Sequence, residues 1–79
     1  PYKEARISAQ LERERMARAV EALRGATGLP ISADTQRATV AEAALQAGAT
    51  IINDVSGLGD DPELGPLVAQ TGARLVLMA

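Results

Sequence analysis

The chain has 79 residues, 47% of them hydrophobic and 23% charged, a net charge of −2, one Tyr, and no Phe, Trp, His or Cys. This is a globular composition sized for one small domain. It excludes a disulfide framework, leaves neither thiolate nor imidazole for a zinc site, and offers no basic face or aromatic platform for nucleic acid.

No signal peptide or long apolar span is read, so the expected setting is cytoplasmic, with no membrane partner. The core must come from Ala, Val, Leu and Ile, which suits closely packed parallel strands covered by helices.

In chain order, Pro1 to Ile7 reads as a loop, with Ser8 as a helix N-cap. Met16, Ala19, Val20 and Leu23 then share one helical face. The mixed charges of Glu12, Arg13, Glu14, Arg15 and Arg18 read as a solvated face. Gly25 and Gly28 offer places to stop. Leu29 to Ala33 is a short apolar strand that starts with a tolerated Pro. Thr35 can cap a second helix, whose apolar stripe is Val40, Ala43, Ala44 and Ala47 and whose stop is Gly48. Thr50 to Val55 is a second strand, followed by a loop from Ser56 to Asp61. Asp61 and Pro62 look like an N-cap and N1 pair. Gly65 and Pro66 should delay regular helix until Pro66. Gly72 ends that helix, and Arg74 to Met78 is a third strand.

The segments Thr27–Ile31, Ala47–Ile51 and Thr71–Leu75 share one form: a small residue, a Gly closing a helix, two connecting residues and an apolar start. Repeats of this length with alternating helix and strand predict a parallel sheet in an α/β fold, its three strands adjacent in chain order. Three parallel strands leave unpaired edges and an uncovered face. The chain is therefore expected to be part of a larger assembly, either a homo-oligomer or a longer barrel, with other material covering Ile31 and Leu75.

In parallel barrels, polar residues at the C-terminal strand ends face the active site. Asp34 and Asn53 hold equivalent places in neighbouring repeats. Asp34 can be a helix cap or a site residue. Asn53 follows two isoleucines, where Asn is depleted, so it needs a partner, either a ligand or a nearby loop. Asp54 should point to the other face and secure a loop, and Met78 suits core or a pocket wall. Other templates fail: no Gly-x-Gly-x-x-Gly, no phosphate loop, and no His for Ser56. Asp60 and Asp61 read as a solvated turn rather than a metal site.

The run Leu29-Pro30-Ile31-Ser32-Ala33-Asp34-Thr35 resembles the third-strand motif of dihydropteroate synthases, L-P-I-S-V-D-T. Ala47-Gly48-Ala49-Thr50-Ile51-Ile52-Asn53-Asp54-Val55-Ser56-Gly57 resembles their fourth-strand motif, A-G-A-x-I-I-N-D-V-S-G. Asp61 to Leu64, Leu75 to Met78 and Val20 to Leu23 fit the flanking elements, so the likeness covers roughly Val20 to Met78.

The resemblance implies residues 1–79 of a pterin-binding (β/α)8 TIM barrel, from helix 2 to strand 5. It implies a transferase of folate biosynthesis and sulfonamide target that joins p-aminobenzoate to 6-hydroxymethyl-7,8-dihydropterin pyrophosphate with the help of Mg²⁺. By the same resemblance Asp34 lies under the pterin as the catalytic residue and Asn53 bonds the ring edge. Val55 and Met78 wall the pocket. The family's metal-binding Asn, its Thr-Arg loop and its later Lys and Arg residues match nothing in this stretch. Ala79 stands where a His is usual and Ala33 where a Val is usual. These residues alone are therefore expected to bind no metal and to be inactive. Two rival readings are the pterin-binding domain of corrinoid methyltransferases, which more often carry Asn-Ser in place of Asn53-Asp54, and a non-catalytic self-assembling βα fragment.

Overall fold

The computed structural model describes residues 2–54, 56, 59 and 61–77, with side chains from residue 8 onward. Six elements follow in order: α1 (Tyr2–Ala26), β1 (Ser32–Asp34), α2 (Ala38–Ala47), β2 (Ile51–Asp54), α3 (Leu64–Thr71) and β3 (Arg74–Leu77). The strands form one sheet in the order β1-β2-β3. Both pairings are parallel, with Ala33 opposite Ile52 and Ile52 opposite Leu75. The expected alternation of three helices with three adjacent parallel strands is borne out.

Strand residues alternate between two environments because successive side chains point to opposite faces. Ile31, Ala33, Ile52 and Asp54 are buried under the helices. With Val20 of α1, Ala38, Ala41 and Ala44 of α2, and Leu64 and Val68 of α3, the aliphatic ones form a single core. The small Ala residues let α2 lie close to both the sheet and α1, so it is buried on more than the one stripe expected: Ala38 and Ala41 are covered as well as Val40, Ala43 and Ala44.

Several boundaries differ from the sequence reading. Helix α1 begins at Tyr2, not after Ser8. Nothing between Tyr2 and Ser8 breaks a helix, so Ser8 is an interior residue rather than a cap. Gly25 lies inside α1, and the expected inward face is only partly used: Val20 is buried and Met16 packs on the core, but Ala19 and Leu23 are exposed. The charge run is not all solvated. Arg13 Nη1 donates to Thr39 O at 2.8 Å and Glu42 Oε1 at 3.0 Å, and Arg37 pairs with Glu12 at 3.5 Å. Strand β1 starts at Ser32, since Pro30 has no N–H for a ladder and Leu29 is 70% exposed.

The second helix is not capped by Thr35. Thr35 Oγ1 accepts the Arg37 N–H, and α2 begins at Ala38 without a local side-chain cap. Helix α3 begins at Leu64, before Pro66. Pro66 stands in the first turn, where N–H groups lack helical partners, so it interrupts nothing. Gly48 and Gly72 end their helices as expected, with φ +127° and +74°. Ile31 needs no outside cover because this core already buries it, whereas Leu75 is only half-buried. Among the described residues no helix is long and apolar enough to cross a membrane.

Candidate functional site

The register aligns Asp34, Asn53 and Val76 as one row across the three strands, near their C-terminal ends. They alternate with Ala33, Ile52 and Leu75, so they lie on the sheet face away from the helices. The Thr35 N–H donates to Asn53 O at 3.1 Å, which keeps β1 and β2 together just beyond the row. Strands about 4.8 Å apart bring the two neighbouring side chains within reach of one small ligand. The two residues picked from their equivalent places in the repeat are thus neighbours on one rim.

Asp34 is exposed and Asn53 half-buried. The Oδ1 atom of Asn53 is buried and has no hydrogen-bond partner among the described residues. Buried polar atoms are almost always paired, so this carbonyl is set to receive a donor. A cleft of about 280 Å³ opens there, lined by Asp34, Asn53, Thr35, Gln36, Arg37 and Glu12. Its walls carry more chemistry than the sequence suggested. Gln36 and Arg37 sit in the loop just after Asp34, so proximity in sequence pointed to them. Glu12 comes from α1 and is brought in by tertiary packing alone. Val76, aligned with Asn53 in the sheet register though not in the cleft lining, was also missed. Val55 and Met78, the expected apolar walls, lie outside the described residues.

Asp54 behaves as expected. It is fully buried on the opposite face, and its Oδ1 accepts from Ser56 N at 2.8 Å and Ser56 Oγ at 2.7 Å. Asp61 does not. Rather than sitting in a solvated turn, its carboxylate is half-buried, with Oδ2 accepting the Ala38 N–H at 2.7 Å and Oδ1 the Glu63 N–H at 3.0 Å. It therefore caps a helix 23 residues earlier in the chain as well as the turn that opens its own.

A larger cleft, about 600 Å³, lies at the other end of the strands, among Pro30, Thr50, Leu67, Thr71 and Arg74. Barrel chemistry gathers at the C-terminal ends, and the unpaired carbonyl is there too, so the smaller cleft is the candidate site. Among the described residues no three Asp or Glu side chains converge.

A family model described as pterin binding enzyme matches residues 1–79. The chain is similar to the dihydropteroate synthase of Mycobacterium leprae (strain TN), 49% identical over 73 residues, which make up 92% of this chain and 25% of that protein. Its likeness to the dihydropteroate synthase of Bacillus subtilis (strain 168) is 39% over 72 residues, 91% of this chain and 25% of that one. A solved structure described as Yersinia pestis DHPS with pterine-sulfa conjugate Compound 16 superposes with a TM-score of 0.80 at 36% identity, over 89% of this chain and 27% of that chain. The chain thus spans about a quarter of the length of these relatives. Neither the corrinoid methyltransferase reading nor the non-catalytic fragment is favoured by them.

Proposed function

The chain belongs to the pterin-binding enzyme family, and on that premise we propose that it forms one side of the pterin site of a dihydropteroate synthase. The observation that carries this reading is the buried, unpaired Oδ1 of Asn53 beside the Asp34 carboxylate on the next strand. Both groups are acceptors. A ligand that suits them presents N–H donors along one edge, as the amino group and ring N–H groups of a pterin do. The flat ring would then lie against apolar neighbours, for which Val76, Val55 and Met78 are the candidates.

In this reading the amine of p-aminobenzoate attacks the methylene carbon of 6-hydroxymethyl-7,8-dihydropterin pyrophosphate. The new C–N bond forms as the C–O bond to pyrophosphate breaks, and the proton lost by the amine passes to solvent or the departing pyrophosphate. Asp34 has the catalytic part: its carboxylate steadies positive charge on the pterin as the leaving group departs. Asn53 orients the ring so that the methylene faces the amine. Mg²⁺ would help the pyrophosphate depart. Residues 1–79 would be helix 2 to strand 5 of a TIM barrel whose other strands close over the Asp34–Val76 face. A cytoplasmic location, and competition by sulfonamides for the p-aminobenzoate position, belong to the same proposal.

The test is turnover by the whole enzyme containing this segment. Given p-aminobenzoate and the pterin pyrophosphate, it should release pyrophosphate and form dihydropteroate. Turnover that persists undiminished when Asp34 and Asn53 are both replaced by Ala would remove them from the site.

A further inference from the structure

We propose that Asp61 is a positioning residue that locks together the two rim loops flanking the candidate pterin site, and so sets the joint placement of Asp34 and Asn53. The inference rests on the reading of that site given above. The loop from Asp34 to α2 is three residues long, Thr35 to Arg37, so wherever the start of α2 goes the end of β1 must follow. The loop from β2 to α3 is longer and begins directly after Asn53 and Asp54. Asp61 lies near its far end and holds both loops at once. One carboxylate oxygen takes the Ala38 N–H at 2.7 Å, and the other takes the Glu63 N–H at 3.0 Å. The backbone carbonyl of Asp61 also accepts the Leu64 N–H at 3.2 Å, so the carboxylate is mounted on the turn that starts α3.

Three physical points make this more than an ordinary cap. Helix α2 has no side-chain cap of its own, so the bond from Asp61 fills a place that a local Ser, Thr or Asp normally takes. The bond is charge-assisted and directed at the positive end of a helix, which strengthens it. Its span, 23 residues, means that it couples two βα units rather than one. At the near end of the same loop, Asp54 holds Ser56 through two bonds. Asp54 thus holds the described near end of this segment, and Asp61 at its far end reaches across to the start of the helix that follows Asp34.

The choice of variant separates this role from stability alone. In Asp61→Asn the amide keeps one acceptor oxygen but turns an NH₂ toward a second N–H. It can therefore satisfy Ala38 or Glu63, not both. Asp61→Ala satisfies neither. In the whole enzyme, well below the melting transition, the KM for the pterin pyrophosphate should rise on the order of tenfold in Asp61→Asn, and further in Asp61→Ala. Small displacements of positioned groups have effects of that size. The KM for p-aminobenzoate should hold, because the resemblance puts that substrate beside the Thr-Arg loop, which matches nothing in this stretch. Amide hydrogen exchange at Ala38 should quicken in both variants. A role in stability alone would lower the melting temperature and leave the pterin KM of the folded enzyme at the parent value, and that result would overturn the proposal. Equal rises in both KM values would also overturn it, by showing a general loss of the fold. If the parent enzyme itself fails to turn over the pterin pyrophosphate, the site reading fails and this proposal fails with it. If the parent turns over and only the variants behave as the parent does, the site reading stands and the lock alone is refuted.

Discussion

Replacing Asn53 by Ala in the whole enzyme should matter little without ligand and a good deal with it. Among the described residues Oδ1 is a buried acceptor without a partner. Such an atom carries a desolvation penalty of about 1–3 kcal/mol. Removing it relieves that penalty while losing a few contacts of a half-buried side chain, so the ligand-free stability should change by no more than about 0.5–1 kcal/mol. With the pterin bound, the ligand's donor is the group left unpaired. The loss of about 1–3 kcal/mol then corresponds to a Kd weaker by roughly 5- to 150-fold. The assay is calorimetric titration with the pterin pyrophosphate beside thermal unfolding with and without it. The expected pattern is an unmoved free melting temperature and a smaller ligand-induced rise. An unchanged Kd would show that Oδ1 does not meet the ligand. A loss of more than about 2 kcal/mol in the free enzyme would show that the atom has a structural partner after all.

Asp34→Asn keeps shape and removes charge, so it should lower kcat more than it weakens pterin binding, as steady-state rates beside titration will show; a loss in binding alone would make Asp34 a plain anchor. Gly48→Ala should destabilise more than Gly72→Ala in chemical denaturation. Both positions have positive φ, but only at Gly48 would a Cβ also meet a side chain, Arg24, at 3.2 Å, and the backbone term alone is about 1–2 kcal/mol. Ile52→Ala, at a fully buried position in the central strand, should cost about 2–5 kcal/mol on the same measurement. Val76→Ala should cost more than about 1 kcal/mol in the whole enzyme if further strands cover it, and near zero if its face stays open to water.

Much of this fold was legible because one local form repeats. A Gly that ends a helix, followed by an apolar start, marks each strand, and Gly48 and Gly72 do adopt positive φ. Asp34 and Asn53 were singled out for the same reason, and equivalent places in parallel repeats do become neighbours in the sheet. What escaped the sequence depends on contacts that no window of residues contains. The start of α2 is fixed by Asp61 rather than by Thr35 or Asp34. Glu12 reaches the cleft through helix packing, and Arg13 finds Glu42 29 residues away. Helix α1 was cut short because Ser8 is a good cap by type, yet type does not tell a cap from an interior position when nothing upstream breaks the helix.

The two faces of this sheet answer to different demands, and the contrast explains where the polar residues fall. Ala33, Ile52 and Leu75 form a row beneath the helices, and such a row can be wholly apolar because it only has to pack. On the other face, the row Ser32, Ile51 and Arg74 lies deeper, and the row Asp34, Asn53 and Val76 lies nearer the rim. A closed barrel fills its middle with layers of side chains and leaves its C-terminal mouth for ligand. Polar groups in the rim row would weaken a layer meant only to pack, since each must find a partner or remain unpaired. The Oδ1 of Asn53 has no partner among the described residues, so a donor from outside them, from ligand in the proposed reading, would satisfy it. Under the proposed pterin function, the mixture of Asp34, Asn53 and Val76 in one row suits a ligand that is flat, apolar across its faces and lined with N–H donors along one edge.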